Sequence, residues 1–446
     1  MKLYLKITAL LLVSSFTAFA QKPKYVVMIS IDGFRPEFYK DPSWNAINLQ
    51  EIAANGIYAD GVRGDFPTVT YPSHTTIITG KFPAKHGVYY NTPFETKQQV
   101  GELGYTDSRR IKTETLWDAA HKKGLKTASV LWPVSVNAPV DYNMPDAARD
   151  TKLTDPLAPF RKYSMPAGLF EEMEKNATGK LYNQDLDGHL STDENLTRMA
   201  SYLIETYKPN LTTIHLVCVD HYAHAEGRMG VDVKKAVANI DRNIGRIIEA
   251  TERAGIKDST AFLIVGDHGF VDINAQMAPN VQLAKAGLVG KTLQEGEWKA
   301  QFFQQGGSTF LYLKDKNDQK TLKQVEAILN DLPSAQKKLF RIINRKELDK
   351  TGADPRVMLA LAAIPGVSFS NATDGEIVRA GNGGTHGHYP DFSEIQTGFM
   401  AFGAGLSKKK IIHEMGLEDI APIVASLLDL QLKDLDGILY PGLVIK

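Results

Sequence analysis

The chain has 446 residues, of which 43% are hydrophobic and 9% aromatic, with 51 basic and 51 acidic side chains. These values describe an ordinary soluble globular protein that can bury one extended core or two smaller ones. The zero formal net charge argues against non-specific binding to nucleic acid or acidic membranes, because neither would attract the chain over a distance.

The first twenty residues have the pattern of a secretory signal peptide. Lys2 and Lys6 precede or border the apolar run Ile7–Val13, and the small-x-small sequence AFA at 18–20 suits a cleavage site. The apolar run is too short to span a bilayer comfortably, so export is favoured over an N-terminal anchor helix. We therefore expect a mature chain from about Gln21 that is periplasmic or secreted and has no membrane span.

Apolar runs of strand length alternate with amphipathic helical stretches along the rest of the chain. The strand candidates are residues 24–32, 125–133, 211–220, 260–269 and 397–405. Their nearly continuous hydrophobic character is typical of parallel strands that are covered on both faces. Helical patterns such as TETLWDAAHKKG and LEDIAPIVASLLDL lie between them. This alternation predicts a three-layer α/β/α sandwich on a mostly parallel sheet.

Two regions fit the alternation poorly, residues 136–195 and residues 275–395. Long segments of this kind usually leave the sheet edge and carry function. We expect both to be inserts that form the rim of the site, within a single catalytic domain spanning residues 21–446.

Acidic residues close three of the predicted strands. Asp32, Asp220 and Asp267 stand at their carboxyl ends, where ligands bind in open α/β sheets. A single carboxylate in such a place is most often a helix cap or a turn residue. Three carboxylates that meet in one crevice would repel one another unless a cation were bound there.

Histidines complete a candidate set of metal ligands. His224 is four residues after Asp220, His268 directly follows Asp267, and His386 lies in the glycine-rich sequence GGTHGHYP. Carboxylates and imidazoles without thiolates favour zinc at a catalytic site, with manganese and iron as alternatives. Together with Asp32 these residues make a six-ligand set, which is of the size that two metal ions need.

The segment DFPTVTYPSHTTIITG carries the candidate nucleophiles. Pro72 suits the first turn of a helix, so we expect Thr70 just before the helix at its positive end. A metal can convert such a hydroxyl, otherwise inert at pH 7, into an alkoxide. A helix N-cap is the alternative role for Thr70, and Thr68 is the rival nucleophile. Packing or capping within the helix is expected for Thr75, Thr76 and Thr79.

The order of these motifs resembles a known family. The motifs are SIDGFRP, FPTVTYPSHTTIITGKFPAKHGVYYN, VLWPVS, VDHYAHAEG, VGDHGF and GGTHGHYP. From about Lys24 to the C-terminus the chain resembles the alkaline phosphatase superfamily, and within it most closely the nucleotide pyrophosphatase/phosphodiesterase family. The resemblance implies an alkaline phosphatase-like fold and two zinc ions. It assigns Asp220, His224 and His386 to one ion, and Asp32, Asp267, His268 and Thr70 to the other.

The resemblance also implies roles for residues of the threonine-rich segment. Thr70 precedes an aromatic-proline pair and matches the family nucleophile, which forms a phosphothreonine intermediate. Asn91 matches an asparagine that donates to a phosphoryl oxygen, where the transition state gathers negative charge. Tyr71 matches the aromatic residue on which a leaving group or nucleobase stacks, with core packing as the alternative. Ser73 and His388 depart from the family pattern and bear on substrate preference; loop packing is favoured for His388.

The implied activity is hydrolysis of nucleotide diesters and pyrophosphates by an exported enzyme that acts on small molecules. A phosphomonoesterase on the same machinery is the nearest alternative, but we identify no cationic side chain beside the motifs to bind the extra phosphate charge. A lysophospholipid- or choline-type phosphodiesterase remains open. A non-catalytic metal-binding module is disfavoured because the full ligand set, the threonine and the asparagine are all present.

A separate signal is the segment Asn183–Glu194, with the sequence NQDLDGHLSTDE. It follows the calcium-loop pattern, with Gly188 at the sharp turn and Glu194 at the twelfth position. Asn183 stands where the pattern usually has Asp. A solvated acidic loop that leads into the next helix is the favoured interpretation, and a structural calcium site is the alternative.

Overall fold

The computed structural model describes residues 22–95, 99, 101, 103–147, 152–291, 293–294 and 296–445. The signal peptide predicted for residues 1–20 lies outside them. Within these ranges, we find no helix with the length and apolar character needed to cross a membrane.

A central eight-stranded sheet organises the fold, with the strand order β17-β2-β16-β7-β1-β6-β4-β5. All of its strands run in the same direction except β16, which is antiparallel to both neighbours. The strands of the described residues are β1 Tyr25–Ile31, β2 Ile57–Ala59, β3 Val62–Arg63, β4 Thr127–Val130, β5 Tyr142–Met144, β6 Leu211–Leu216, β7 Thr260–Gly266, β8 Val271–Met277, β9 Ala300–Gln305, β10 Ser308–Leu313, β11 Phe340–Ile343, β12 Ala360–Ala363, β13 Gly366–Phe369, β14 Val378–Ala380, β15 Gly384–Thr385, β16 Phe399–Gly403, β17 Lys410–Ile412 and β18 Met415–Gly416.

The sheet is covered on both faces, which explains the uninterrupted apolar runs. Successive side chains of a strand point to opposite faces. In β1, Val27, Ile29 and Ile31 join one hydrophobic core, whereas Val26 and Met28 join a second one. Two cores separated by one sheet are the three-layer α/β/α arrangement, so the predicted fold class is confirmed.

Helices on the two faces supply the outer layers. The helices Ile47–Asn55, Leu190–Tyr207 and Val231–Arg253 contribute buried side chains to the first core. The helices Thr70–Thr79, Leu116–Lys122 and Ile420–Leu428 contribute to the second. The other α-helices of the described residues are Glu37–Lys40, Pro83–His86, Ala158–Tyr163, Leu169–Met173, Cys218–Glu226, Asn280–Lys285, Gln319–Asn330, Ser334–Lys337 and Arg345–Lys350.

Two details of the predicted strands are wrong. The run 397–405 contains β16, which is antiparallel rather than parallel; a strand buried on both faces has the same apolar sequence in either direction. In the run 211–220 the strand ends at Leu216 and a helix begins at Cys218. Cys218 and Val219 are buried, so the first helical turn extends the apolar run and Asp220 lies on a helix rather than at a strand end.

The two regions predicted as inserts have structure of their own. The first contains β5, which is an edge strand of the central sheet. The second contains an antiparallel sheet in the order β11-β12-β10-β9, with a separate hydrophobic core. Phe303 and Phe310 of this sheet also pack with Phe66 and Tyr90, which flank the threonine-rich segment. The second region therefore reaches the side of the molecule where Thr70 lies.

Candidate active site

The carboxyl ends of β1 and β7 bring two acidic residues together. The strands pair in parallel with Ile31 opposite Gly266, so Asp32 and Asp267 follow at the same edge of the sheet. Asp267 Oδ1 accepts hydrogen bonds from the backbone N–H of Gly33 at 3.1 Å and of His268 at 3.0 Å. These two bonds fix the Asp267 carboxylate and leave Oδ2 turned towards His268, whose Nε2 lies 3.3 Å away.

The helix Cys218–Glu226, called the ligand helix below, brings Asp220 and His224 to the same crevice. The two residues are one helical turn apart, and His224 Nε2 is 3.4 Å from Asp220 Oδ1. The loop that follows β15 adds His386, whose Nε2 is 3.6 Å from the same oxygen. The rings of His386 and His268 stack at 3.6 Å between centroids, which joins the two sides of the site.

The three candidate ligand histidines share one hydrogen-bonding pattern. Their Nδ1 atoms lie 3.0–3.1 Å from backbone carbonyl oxygens, of Gly384 for His224, of Gly269 for His268 and of Thr68 for His386. A carbonyl oxygen only accepts, so each Nδ1 must donate its hydrogen. Nε2 then carries the lone pair, and each Nε2 faces a carboxylate of the crevice. A backbone bond that fixes the tautomer in this way is typical of metal-binding imidazoles.

The protonation of these histidines follows from their surroundings. Burial lowers the pKa of His268 to about 4 and that of His386 well below its usual value, so both rings are neutral at pH 7. Burial lowers the pKa of His224, but the charge of Asp220 together with the hydrogen bonds to Asp220 and the Gly384 carbonyl outweighs burial and raises the pKa. Only the neutral imidazole binds a metal, so a proton and a metal compete for His224 Nε2.

Among the residues that the structure describes, two groups of three have ligand atoms within 4.8 Å of one another. One contains Asp220, His224 and His386, as the sequence predicts. The other contains Asp32 and His268, but its third member is Asp220, whereas the sequence predicts Asp267. Asp220 therefore faces both groups, and Asp267 stands beside the second one. The binding of two zinc ions by this set stays a prediction.

The carboxylates of the crevice are arranged as a cation would require. Asp32 Oδ1, Asp220 Oδ1 and Asp267 Oδ2 are buried oxygens that accept no hydrogen bond, a costly state unless a positive charge is near. Burial, with the charges of Asp220 and Asp267, raises the pKa of Asp32 well above its usual value. Burial also raises the pKa of Asp267 to about 7. Oxygen and imidazole donors without sulfur fit zinc at a catalytic site.

Thr70 is the first residue of the helix Thr70–Thr79, called the nucleophile helix below, rather than the residue before it. The N-cap position belongs to Val69, and no side chain caps this end, so the alternative role of Thr70 as the N-cap is not supported. Thr70 Oγ1 lies 3.4 Å from His268 Nε2. The hydroxyl thus stands beside the second ligand group, at the positive end of the helix.

The other threonine hydroxyls of the segment are engaged within the protein. Thr68 is fully buried and donates to the His388 carbonyl at 3.0 Å. Thr75 and Thr79 each donate to the carbonyl four residues earlier, at 2.8 and 2.7 Å. Thr76 donates to Asp65 at 2.6 Å. These bonds agree with the packing roles predicted for the helix and leave Thr70 as the hydroxyl in the crevice.

Asn91 lies against the start of the nucleophile helix. Its Oδ1 accepts a hydrogen bond from the backbone N–H of Tyr71 at 2.8 Å, so the amide orientation is set and Nδ2 is left as the donor. Tyr71 packs beside a small cluster of Val88, Tyr105 and Val134. Its hydroxyl donates to Asp146 Oδ2 at 2.8 Å. Tyr71 is thus partly packed, and its ring is held by a carboxylate of the first inserted region.

Two buried histidines beneath the site were not among the predicted residues. His74 Nδ1 lies 2.8 Å from the Thr70 carbonyl, and its Nε2 lies 2.8 Å from Ser30 Oγ. His215 Nε2 lies 3.3 Å from Asp32 Oδ2. His215 could have been noticed as the one ionisable residue of the buried strand β6. Asp146 has no such signal, because its contact with Tyr71 depends on the fold.

The structure also describes the calcium-loop candidate segment and His388. In the segment Asn183–Glu194, Glu194 pairs with Arg242, and Asp185 Oδ2 accepts from the Tyr182 N–H at 2.7 Å. These contacts favour the acidic-loop interpretation, and the calcium alternative stays untested.

His388 is buried and its Nε2 lies 3.0 Å from the Val367 carbonyl, which supports a role in loop packing.

Comparison with known proteins places this site in context. Residues 26–387 match the family model described as type I phosphodiesterase/nucleotide pyrophosphatase. Venom phosphodiesterase 2 of Crotalus adamanteus is 22% identical over 430 residues, which are 93% of this chain and 46% of that protein. Ectonucleotide pyrophosphatase/phosphodiesterase family member 3 of Rattus norvegicus is 22% identical over 425 residues, which are 93% of this chain and 42% of that protein. The chain thus spans less than half the length of these relatives.

Solved structures share the fold. Human ectonucleotide pyrophosphatase/phosphodiesterase 5 superposes with a TM-score of 0.67 at 16% identity, covering 93% of this chain and 97% of that one. The murine protein, as an inactive variant with threonine replaced by alanine and in complex with AMP, has a TM-score of 0.66 at 17% identity, with the same coverage.

Proposed function

This chain belongs to the type I phosphodiesterase/nucleotide pyrophosphatase family, and we propose that it hydrolyses phosphodiester or phosphoanhydride bonds of nucleotide substrates. The position of Thr70 carries the proposal, because its Oγ1 lies 3.4 Å from His268 Nε2 beside two groups of candidate metal ligands. A hydroxyl at a helix N-terminus and next to a cation site is well placed to attack an anionic phosphoryl group.

The ligand set supports two zinc ions. The first would be held by Asp220, His224 and His386. The second would be held by Asp32, Asp267, His268 and Thr70, and the Asp220 carboxylate belongs to both groups of ligand atoms. When bound, zinc stabilises anionic oxygens as a Lewis acid and lowers the pKa of a coordinated hydroxyl.

The residues of the chain then account for a double displacement. Thr70 Oγ1 forms a bond to phosphorus while the bond from phosphorus to the leaving oxygen breaks, and the Thr70 proton passes to the leaving oxygen or to solvent. The product is a phosphothreonine linkage that keeps the nucleoside when the substrate is a nucleotide diester. A water molecule then attacks phosphorus, the bond to Thr70 Oγ1 breaks, and the hydroxyl is restored. One water is consumed, and a nucleoside monophosphate is released.

Asn91 and Tyr71 orient the substrate in this scheme. Because Asn91 Oδ1 is occupied by the Tyr71 N–H at 2.8 Å, Nδ2 donates to a phosphoryl oxygen, where charge accumulates in the transition state. The ring of Tyr71 offers a face on which a nucleobase or aromatic leaving group can stack. The Asp146 carboxylate at the Tyr71 hydroxyl adds negative charge on this side, which favours a singly charged diester over a doubly charged monoester.

The AMP bound to the murine relative supports a nucleoside monophosphate as product here.

The proposed diesterase activity is tested with the full mature chain loaded with zinc. We expect faster hydrolysis of thymidine monophosphate p-nitrophenyl ester than of p-nitrophenyl phosphate. A preference for the monoester would contradict the diesterase assignment and favour the phosphomonoesterase alternative.

Thr70→Ala is expected to abolish turnover while two zinc ions stay bound. Thr79→Ala, at the other end of the nucleophile helix, is the matched control and should keep activity. Near-normal turnover of Thr70→Ala would contradict the nucleophile assignment.

We further propose that residues 1–20 direct export and are removed. N-terminal sequencing of the mature protein, with a first residue near Gln21, would check this.

A further inference from the structure

The ligand helix begins without a cap of its own. The first backbone N–H groups of a helix have no partner within it and need an outside acceptor. Here the N-cap position is occupied by Val217, whose side chain cannot accept a hydrogen bond, and no side chain of that residue caps the helix. The helix nevertheless starts directly beneath the crevice, with Asp220 as its third residue.

Asp193 supplies the missing acceptors from another helix. It lies in the helix Leu190–Tyr207 and is fully buried. Its Oδ1 accepts from the Val217 N–H at 2.8 Å, and its Oδ2 accepts from the Cys218 N–H at 3.2 Å. Both carboxylate oxygens are therefore used by the start of the ligand helix, and their negative charge lies at its positive end.

The distance from this cap to the metal ligands is short. Asp220 is two residues beyond Cys218, which corresponds to roughly 3 Å along a helix axis. Asp220 belongs to both candidate ligand groups, so a shift of the first turn would move a ligand of each. His224, one turn further on, would move with it.

We propose that Asp193 is a positioning residue for the metal centre: its carboxylate holds the first turn of the ligand helix where Asp220 and His224 reach the other ligands. This inference rests on the proposed function, since it takes the ligand groups to bind zinc. It also gives a role to one acidic residue of the segment Asn183–Glu194. That carboxylate binds backbone N–H groups rather than a calcium ion.

The chain contains a matched control for this arrangement. Asp241, in the helix Val231–Arg253, accepts from the backbone N–H of Asn48 at 3.2 Å and of Leu49 at 2.9 Å. It thereby caps the helix Ile47–Asn55, whose N-cap residue, Ala46, cannot. As at Asp193, one carboxylate accepts two backbone N–H groups at a helix start, although Asp241 Oδ2 also accepts from Asn48 Nδ2 at 3.0 Å. The helix capped by Asp241 carries no candidate ligand.

The test compares zinc affinity in Asp193→Asn and Asp241→Asn, made in the full mature chain and titrated with zinc against a chromophoric chelator. An amide oxygen can accept as the carboxylate did, but the amide NH2 would face a backbone N–H, so both variants lose part of their cap. We expect Asp193→Asn to bind zinc about 10- to 100-fold more weakly, the range found when a group that orients a metal ligand is removed. Asp241→Asn should stay within about twofold of the wild type. Excess zinc should restore the turnover of Asp193→Asn.

Equal zinc affinity of Asp193→Asn and the wild type, or an equal loss in Asp241→Asn, would overturn the inference. If Asp193→Asn fails to fold, Asp193→Glu replaces it and is judged by the same comparison; its extra methylene moves the carboxylate relative to the helix. A wild-type chain that binds no zinc would contradict the proposed function itself, so the two failures are distinguishable.

Discussion

Replacing Asn91 separates its two roles, because one side of the amide binds the backbone and the other is free to bind substrate. Oδ1 accepts from the Tyr71 N–H at 2.8 Å. Asn91→Asp keeps an oxygen for this bond but replaces the Nδ2 donor with a second acceptor that carries charge. Asn91→Ala removes both the backbone bond and the donor.

The expected magnitudes follow from these changes. Loss of one donor to transition-state charge typically lowers kcat about 100- to 1000-fold. Asn91→Ala should lie in that range and should also lose the small stabilisation, about 1 kcal/mol, of a backbone hydrogen bond. Asn91→Asp should be less active than Asn91→Ala, because a carboxylate would repel the phosphoryl oxygens that the amide attracts. Its thermal stability should lie closer to the wild type.

The assay measures kcat and KM for thymidine monophosphate p-nitrophenyl ester, together with the melting temperature and zinc content of each variant. We expect activity to decrease from the wild type to Asn91→Ala and further to Asn91→Asp, at equal zinc content. If Asn91→Asp keeps activity within tenfold of the wild type, Nδ2 is not the donor and the role of Asn91 is refuted.

Three further predictions concern the pH dependence, the metals and the aromatic face. Burial raises the pKa of Asp65 to about 8. Between about pH 4 and pH 8 the folded state therefore holds a proton that the unfolded state lacks. Over this range the contribution of Asp65 to the free energy of unfolding falls by about 1.4 kcal/mol for each unit by which the pH rises. Asp65→Asn should therefore gain stability relative to the wild type as pH rises from 5 to 7 in urea denaturation; parallel pH profiles would contradict this. Removal of zinc by a chelator should abolish activity and lower the melting temperature, and added zinc should restore both. The melting temperature falls because a ligand at 100 times its Kd adds about 2.7 kcal/mol to the free energy of unfolding. An unchanged melting temperature would argue against a bound metal. Tyr71→Phe should keep KM within a few fold of the wild type, because the aromatic ring remains. Tyr71→Ala should raise KM by about tenfold or more, because a base stacked on an aromatic ring contributes about 1–3 kcal/mol to binding. Equal KM values for the two variants would mean that the ring only packs within the protein.

The fold class could be predicted because local pattern and layer architecture agree. Nearly continuous apolar runs such as that of β1 report burial on both faces, and the helical patterns between them report the covering layers. The mostly parallel sheet was predicted, but the antiparallel direction of β16 was not, because burial on two faces gives a single strand the same apolar sequence in either direction. The end of β6 was also missed, since the buried first turn of the ligand helix continues the apolar run.

The residues brought together in the site carry sequence motifs, which explains why most of them could be predicted. Asp32, Asp267 and His268 follow strands whose parallel pairing places them at one edge. The sharing of Asp220 between two ligand groups depends on the angle at which the ligand helix enters the crevice, and no motif encodes that angle. Asp193 accepts a hydrogen bond from Cys218, 25 residues away in the chain, and Asp146 accepts one from Tyr71, 75 residues away. Such contacts arise from packing and have no local pattern.

The central claim, that Thr70 is the nucleophile, is tested most directly by trapping its covalent adduct. The zinc-loaded enzyme is mixed with thymidine monophosphate p-nitrophenyl ester, quenched in acid within the first turnover, digested and mapped by mass spectrometry. We expect a thymidylyl group on Thr70 in the wild type and none in Thr70→Ala with the same zinc content. An adduct on another residue, such as Thr68, or an adduct that persists in Thr70→Ala, would contradict it.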